Sequence, residues 1–217
     1  MSKQALDPIN LLAIATAPTL PTLKTGDTYF NTTTNSLFIY NGSTWSISGP
    51  VPIANAIASV TGYSADTYLA GSAITIPAGT WKAKTQYKCV FDMQKTAAGT
   101  SAFTVNVRMG TLGTTSDASV LSLAFAVGTA AVDTGKFELF LTFRAVGASA
   151  IVQGLLVCVH SLAATGLTTT GAAGNGIVLG TSATFSSTTQ TIIGLSVNGG
   201  TSFAGTNTQV QAELLGI

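Results

Sequence analysis

After residue 85 most of the chain alternates apolar and polar residues with a period of two, and that pattern leaves few folds open. Tyr87, Cys89, Phe91 and Met93 alternate with Lys88, Asp92 and Gln94. Phe103, Val105, Val107 and Met109 alternate with Thr104, Asn106 and Arg108, and Leu121, Leu123, Phe125 and Val127 share a face. The pattern returns at Phe137, Leu139, Leu141 and Phe143, at Thr189, Thr191, Ile193, Leu195 and Val197, and at Val210, Ala212 and Leu214. Side chains change face at every residue of a strand, so each run reads as a strand with one buried face. The run 151–159 is apolar on both faces and reads as a central or an interface strand. Loops rich in Gly, Thr and Ser separate the runs at 96–100, 110–117, 128–135, 163–176 and 198–205. Strands and turns at this spacing predict an all-β chain, an antiparallel β-sandwich of jelly-roll-like form over residues 61–217.

The N-terminal part has a different texture. Gly26-Asp27-Thr28-Tyr29-Phe30-Asn31-Thr32-Thr33-Thr34-Asn35-Ser36-Leu37-Phe38-Ile39-Tyr40-Asn41-Gly42-Ser43-Thr44-Trp45 reads as a small three-stranded β-meander. Its strands are expected at 28–31, 37–40 and 44–47, with Asn41-Gly42 as a type I′ hairpin turn. Tyr29, Phe30, Phe38, Tyr40 and Trp45 are a large apolar load for so few residues, and a small meander alone is marginal. These five are the candidate anchoring and assembly residues. Before them, residues 1–25 form an extended arm with Pro8, Pro18 and Pro21. One turn of helix at 7–12 is expected there, with Asp7 as cap and Pro8 at the first helical position. Such an arm docks into a neighbour or is a disordered tail. Pro50 and Pro52 break the chain, so 1–49 is read as one module and 50–60 as a linker, with 53–59 a short helix or extended chain.

The segment resembles the pattern G-D-x-Y-[YF]-N-T-T-T-N-x-x-x-x-Y-[ND]-G-x-x-W, common in tail fibres, head fibres and related virion proteins of bacteriophages. The resemblance covers residues 20–49. It implies a virion protein, a tail fibre, head fibre or capsid decoration attached through its N-terminal module. A homotrimer is part of that implication, and the partners it implies are other copies of the chain, capsid or tail proteins and a host-surface glycan.

Composition fits an assembled protein. Only 8% of the 217 residues are charged, while 46% are hydrophobic. A surface with so few charges is poorly protected against association, and interface cores are depleted in charge. The alternative is a β-protein solvated by Thr and Ser. A net charge of +1 steers the chain to neither nucleic acid nor anionic membrane. Lys82, Lys84, Lys88 and Lys95, the one basic cluster, read as a solvated face. The apolar stretch at 11–17 is too short for a signal-peptide core, and 151–159 is too short to span a bilayer.

The chain offers little material for catalysis. The single histidine, His160, ends an apolar run with no acidic neighbour in sequence and reads as a satisfied or interface histidine. The eight carboxylates include no closely spaced pair for glycoside hydrolysis, and Asp117 and Asp133 read as turn residues. Residues 171–176 lack the spacing of a phosphate loop. Cys89 and Cys158 read as buried thiols, with a disulfide left open, and the lack of C-x-x-C leaves zinc unsupported. No cofactor or metal is expected. Tyr63, Tyr68 and Trp81 would suit sugar stacking, but core or interface burial is favoured. The expectation is a non-enzymatic virion protein, with a carbohydrate-binding or polysaccharide-cleaving spike as the alternative.

Overall fold

The computed structural model describes residues 12–18, 23–33, 36–47, 53–56, 60–96, 98–162, 165–169 and 175–216. The chain divides into two compact units, Met1–Pro50 and Val51–Ile217. The described residues contain strands and no helix. The helical turn expected at 7–12 lies outside them except for its last residue, which is in a strand.

The first unit is a four-stranded sheet. Strands β1 (Leu12–Ile14), β2 (Thr28–Asn31), β3 (Ser36–Tyr40) and β4 (Trp45–Ile47) lie in chain order. The last three form the expected antiparallel meander. Strand β1 belongs to the arm and pairs parallel to β2, so that part of the arm is built into the sheet. The β3–β4 turn is not type I′, because Gly42 takes positive φ and Asn41 does not. Tyr40 pairs with Trp45, which leaves a loop of residues 41–44. The Asn41 side chain accepts hydrogen bonds from Ser43 N (3.0 Å) and Thr44 N (2.9 Å), and this Asx geometry shapes the turn.

The second unit is a sandwich of two sheets. Its strands are β5 (Ile53–Ala56), β6 (Val60–Gly62), β7 (Thr67–Tyr68), β8 (Ile74–Thr75), β9 (Gln86–Lys95), β10 (Ala102–Gly110), β11 (Ala118–Val127), β12 (Asp133–Ala145), β13 (Ile151–His160), β14 (Asn175–Thr181), β15 (Ile192–Asn198), β16 (Gly205–Asn207) and β17 (Val210–Leu215). The large sheet runs β14-β13-β12-β9-β16-β6, with β17 alongside β9 and β5 beyond β17. Strands β16 and β17 form one interrupted edge of β9, because Gly205 and Thr206 pair with Lys95 and Gln94 while 210–215 pair with 86–91. The Asp92 carboxylate holds the interruption, accepting from Thr208 N (2.8 Å) and Gln209 N (3.0 Å). The small sheet runs β11-β10-β15-β7, with β8 also on β15. From β9 on, the chain crosses between the sheets after β9, β11, β14 and β15, while β10–β11 and β12–β13–β14 are hairpins within one sheet, so the connections are not those of a jelly roll; β13 and β14 extend the large sheet beyond β12.

The stretch 50–60 is not only a linker. Strand β5 pairs with the C-terminal strand β17, from Ala56↔Val210 to Glu213↔Ile53. Its apolar residues are too few and too small to announce a strand by period alone.

The core follows the alternation. Tyr87, Cys89, Phe91 and Met93 of β9, Phe137, Leu139, Leu141 and Phe143 of β12, and Phe103, Val105, Val107 and Met109 of β10 are all buried. Phe137 lies at the centre. Its ring stacks on Phe91 (4.9 Å between centroids) and, across the sandwich, on Phe103 (4.9 Å), and Phe125 meets it edge-on at 5.9 Å. Val127, expected to share the Leu121 face, is exposed, because the β10–β11 register shifts between Ala102 and Thr104. Thr189 and Thr191 precede β15, which starts at Ile192. Cys89 and Cys158 are free and buried, and burial raises each thiol to about 12. They lie on β9 and β13 with β12 between them, and two strand spacings of about 4.8 Å exceed disulfide reach.

Phe137→Ala is expected to cost about 3–5 kcal/mol, since it removes the ring that both sheets share. Urea denaturation of the two proteins measures it, and a loss below about 1 kcal/mol would place the core's centre elsewhere.

Candidate functional sites

Three places carry chemistry or surface beyond ordinary packing. The first is the aromatic set of the N-terminal sheet. Tyr29 and Phe38 face each other across β2 and β3, stacked at 5.1 Å, and both are buried. Trp45 meets Tyr29 edge-on at 4.8 Å and Tyr40 at 5.3 Å. Tyr29 and Phe38 are therefore this unit's own core. Phe30, on the other face of β2, is half-buried, as are Tyr40 and Trp45. These three retain apolar surface that a neighbour could cover. The motif's polar residues shape its backbone. Gly26 takes positive φ, and the Asp27 carboxylate accepts from Lys24 N (2.8 Å). The Asn31 amide donates to the Ala15 carbonyl (3.2 Å), and its oxygen accepts from Thr33 N (2.9 Å).

The second place is a buried polar cluster at one end of the large sheet. Asp133, read from sequence as a turn residue, is the first residue of β12 and is buried. Its carboxylate bonds His160 Nδ1 (2.7 Å) and accepts from Leu167 N (2.9 Å), Thr134 N (2.8 Å) and Leu162 N (3.3 Å). The fold thus gives His160 the acidic partner it lacks in sequence, 27 residues away. Lys95 is buried too, which corrects its reading as part of a solvated face. Its odd number on β9 turns it inward, whereas Lys88 faces out. Its ammonium donates to the carbonyls of Thr129 and Gly166. Burial pulls the Lys95 pKa down, partly opposed by the Asp133 charge.

Chemically, this cluster is a clamp. Asp133 and Lys95 bind backbone groups of the 128–135 and 161–168 loops and hold them against the sheet. The His160 and Asp133 side chains are fully shielded from solvent, and His160 Nε2 has no hydrogen-bond partner among the described residues.

The third place is the outer face of the large sheet. Near the clamp it forms an open groove of about 480 Å³, lined by Asp92, Met93, Gln94, Lys136, Val159 and Ser161 among others, with more apolar than polar surface. Burial pushes the Asp92 carboxyl up, but its bonds to Thr208 and Gln209 outweigh this and leave it below the ordinary value. Farther along, the same face is apolar at Phe140 of β12 and over the middle of β13 and β14. Ile177 and Leu179 are more than 60% exposed, and Val159 and Phe140 are 54% and 40% exposed.

Two of the aromatics considered for sugar stacking are buried. Tyr63 is in the core, and Trp81 stacks on Phe143 at 4.8 Å while donating to the Gln190 carbonyl at 2.9 Å. Tyr68 is half-buried. Among the described residues no group of three or more His, Cys, Asp or Glu could hold a metal ion, and no helix is long and apolar enough to cross a membrane. The Gly-rich stretch 171–174 lies outside the described residues.

No protein-family model matches the chain, and no curated protein matches it.

Asp133→Asn is expected to lower stability by about 1–3 kcal/mol, the cost of weakening a buried carboxylate that accepts three backbone N–H groups and bonds His160. Chemical denaturation tests this, and an unchanged midpoint would mean that the clamp carries no stability.

Proposed function

We propose that this chain is a non-enzymatic structural protein of a tailed bacteriophage particle, a homotrimeric appendage held through its N-terminal module. The segment Gly26–Trp45, with its resemblance to phage fibre proteins, carries the reading. What supports it further is the division of labour within that segment. The Gly, Asp and Asn positions of the pattern shape its turns, and Phe30, Tyr40 and Trp45 keep apolar surface for a neighbour. The scarcity of charge fits a chain whose surface is shared with other subunits. The sandwich would face outward.

Two positions on the particle fit this reading. One is a capsid decoration or head fibre, since the motif resembled is also found in head fibres and related virion proteins. A short tail fibre suits the motif. A second reading, glycan binding by the sandwich, is favoured by the groove beside Gln94 and Lys136, whose volume is in the range of small-ligand sites. Cleavage of the glycan finds less support. Asp92 is the groove's one carboxylate, and its lowered pKa suits an acceptor rather than a general acid.

Counting copies of the chain per purified virion by quantitative mass spectrometry tests the proposal. A copy number equal to the major capsid protein, or a simple fraction of it, identifies a decoration. A small multiple of three or six identifies a tail appendage. Absence from purified particles overturns the reading. Deletion of residues 1–49 is expected to leave a folded sandwich that no longer joins the particle, and normal incorporation of the shortened chain would refute the anchor.

A further inference from the structure

We propose that the apolar half of the large sheet's outer face, over β12, β13 and β14, is the surface through which copies of this chain meet. The inference rests on the reading above in one respect, that the chain self-associates, and it adds the place.

Register puts the apolar residues side by side. Leu179 pairs with Leu155, which pairs with Phe140, and in the next row Ile177 pairs with Val157. All five lie on the face away from the sandwich core, and Val159 extends the patch by one row. An apolar patch on an ordinary sheet exterior is interrupted by charges. Here β13 and β14 contain no Asp, Glu, Lys or Arg in seventeen residues. Strand β14 is also the sheet's edge. Edge strands are ordinarily protected by Lys, Pro or a bulge, and β14 has none of the three. A face and an edge both left without protection point to a surface that is covered in the working particle.

The charges beside the patch identify the occupant as another copy. Phe140 borders Lys88, which lies 5.5 Å from its ring centre and pairs with Glu213 at 3.8 Å. Glu138 and Lys136 flank Val157 and Val159 across the β12–β13 ladder. The border thus has two positive and two negative groups and no net sign. A border without net sign suits a partner without strong charge, and this chain, at +1 overall, is such a partner, whereas a surface evolved for a strongly charged partner carries the opposite sign. The layout also suits. The patch spans three strands, about 14 Å at standard spacing, and forms the apolar core of an interface whose rim is the charged border.

The test compares the full chain with the Ile177→Asp/Leu179→Asp double variant and with Leu112→Asp, by light scattering after size exclusion, with circular dichroism to follow folding. Leu112 is 63% exposed and lies in the β10–β11 loop, so its variant controls for added charge alone. The expected result is an oligomer for wild type and Leu112→Asp, and a folded monomer for the double variant. An oligomeric double variant of wild-type mass overturns the surface and leaves self-association standing; the patch would then serve another virion protein. A wild-type chain that is monomeric at all accessible concentrations overturns self-association as well. If the double variant fails to fold, hydroxyl-radical labelling of the wild-type oligomer decides. Phe140, Ile177 and Leu179 should be labelled several-fold less than Leu112, and equal labelling overturns the proposal.

Discussion

Two sheets share one ring. Phe137 of the large sheet lies against Phe103 of the small one, with Phe91 stacked behind it and Phe125 at its edge. Everything else in the sandwich is arranged to keep those rings dry. The inward residues of β9, β10 and β12 extend the same apolar layer along the strands. Burying a phenylalanine contributes about 1.5–3 kcal/mol, and stacking adds about 0.5–1.5 kcal/mol for each well-placed pair. Such a core asks little of the outward positions beyond not entering it, and their composition is free to serve another purpose.

Period two made most of this legible. A run such as Phe137-Glu138-Leu139-Phe140-Leu141 states its inward face without any knowledge of its partner strand. The failures came where a contact joins residues far apart in sequence. Nothing near Asp133 announces His160 or Leu167, and nothing near Ile53 announces Val210–Leu215. Strand β14 is short and enclosed by glycines, which reads as loop. Gly176 and Gly180 prove instead to be places where a side chain would meet Phe125 and Leu123 of the facing sheet. Lys95 is a different case. Its parity was visible, but a lysine on the inward face is unexpected until two loop carbonyls are found waiting for it.

The N-terminal segment divides in the same way. Its strands could be read directly, while the parallel pairing of β1 with β2 could not, because three residues of an arm carry no period. The aromatics were legible as a group but not by role. Register puts Phe30 on the opposite face from Tyr29 and Phe38, while Tyr40 and Trp45 share their face and differ only in being less buried. The turn residues show why a pattern of Gly, Asp and Asn positions would specify this small sheet. Each supplies a backbone geometry or a hydrogen bond that a larger apolar residue would not.

The outer faces of the two sheets then separate packing from assembly. On the small sheet, Arg108 bonds Ser196 Oγ at 3.0 Å and pairs with Asp66, while Asp66 accepts from Asn106 and Ser196. That face meets its polar needs within the chain. On the large sheet the outer residues of β13 and β14 include Leu155, Val157, Val159, Ile177 and Leu179, which have no side-chain group to donate or accept, with Gln153 and Thr181 paired at one end. Stability within one chain does not require this difference, since polar residues would serve an exposed sheet face as well and would keep the chain soluble. A second partner for the sheet does require it. What sets β13 and β14 apart is therefore not their lack of charge, which β11 and β15 share, but the large apolar side chains they turn outward.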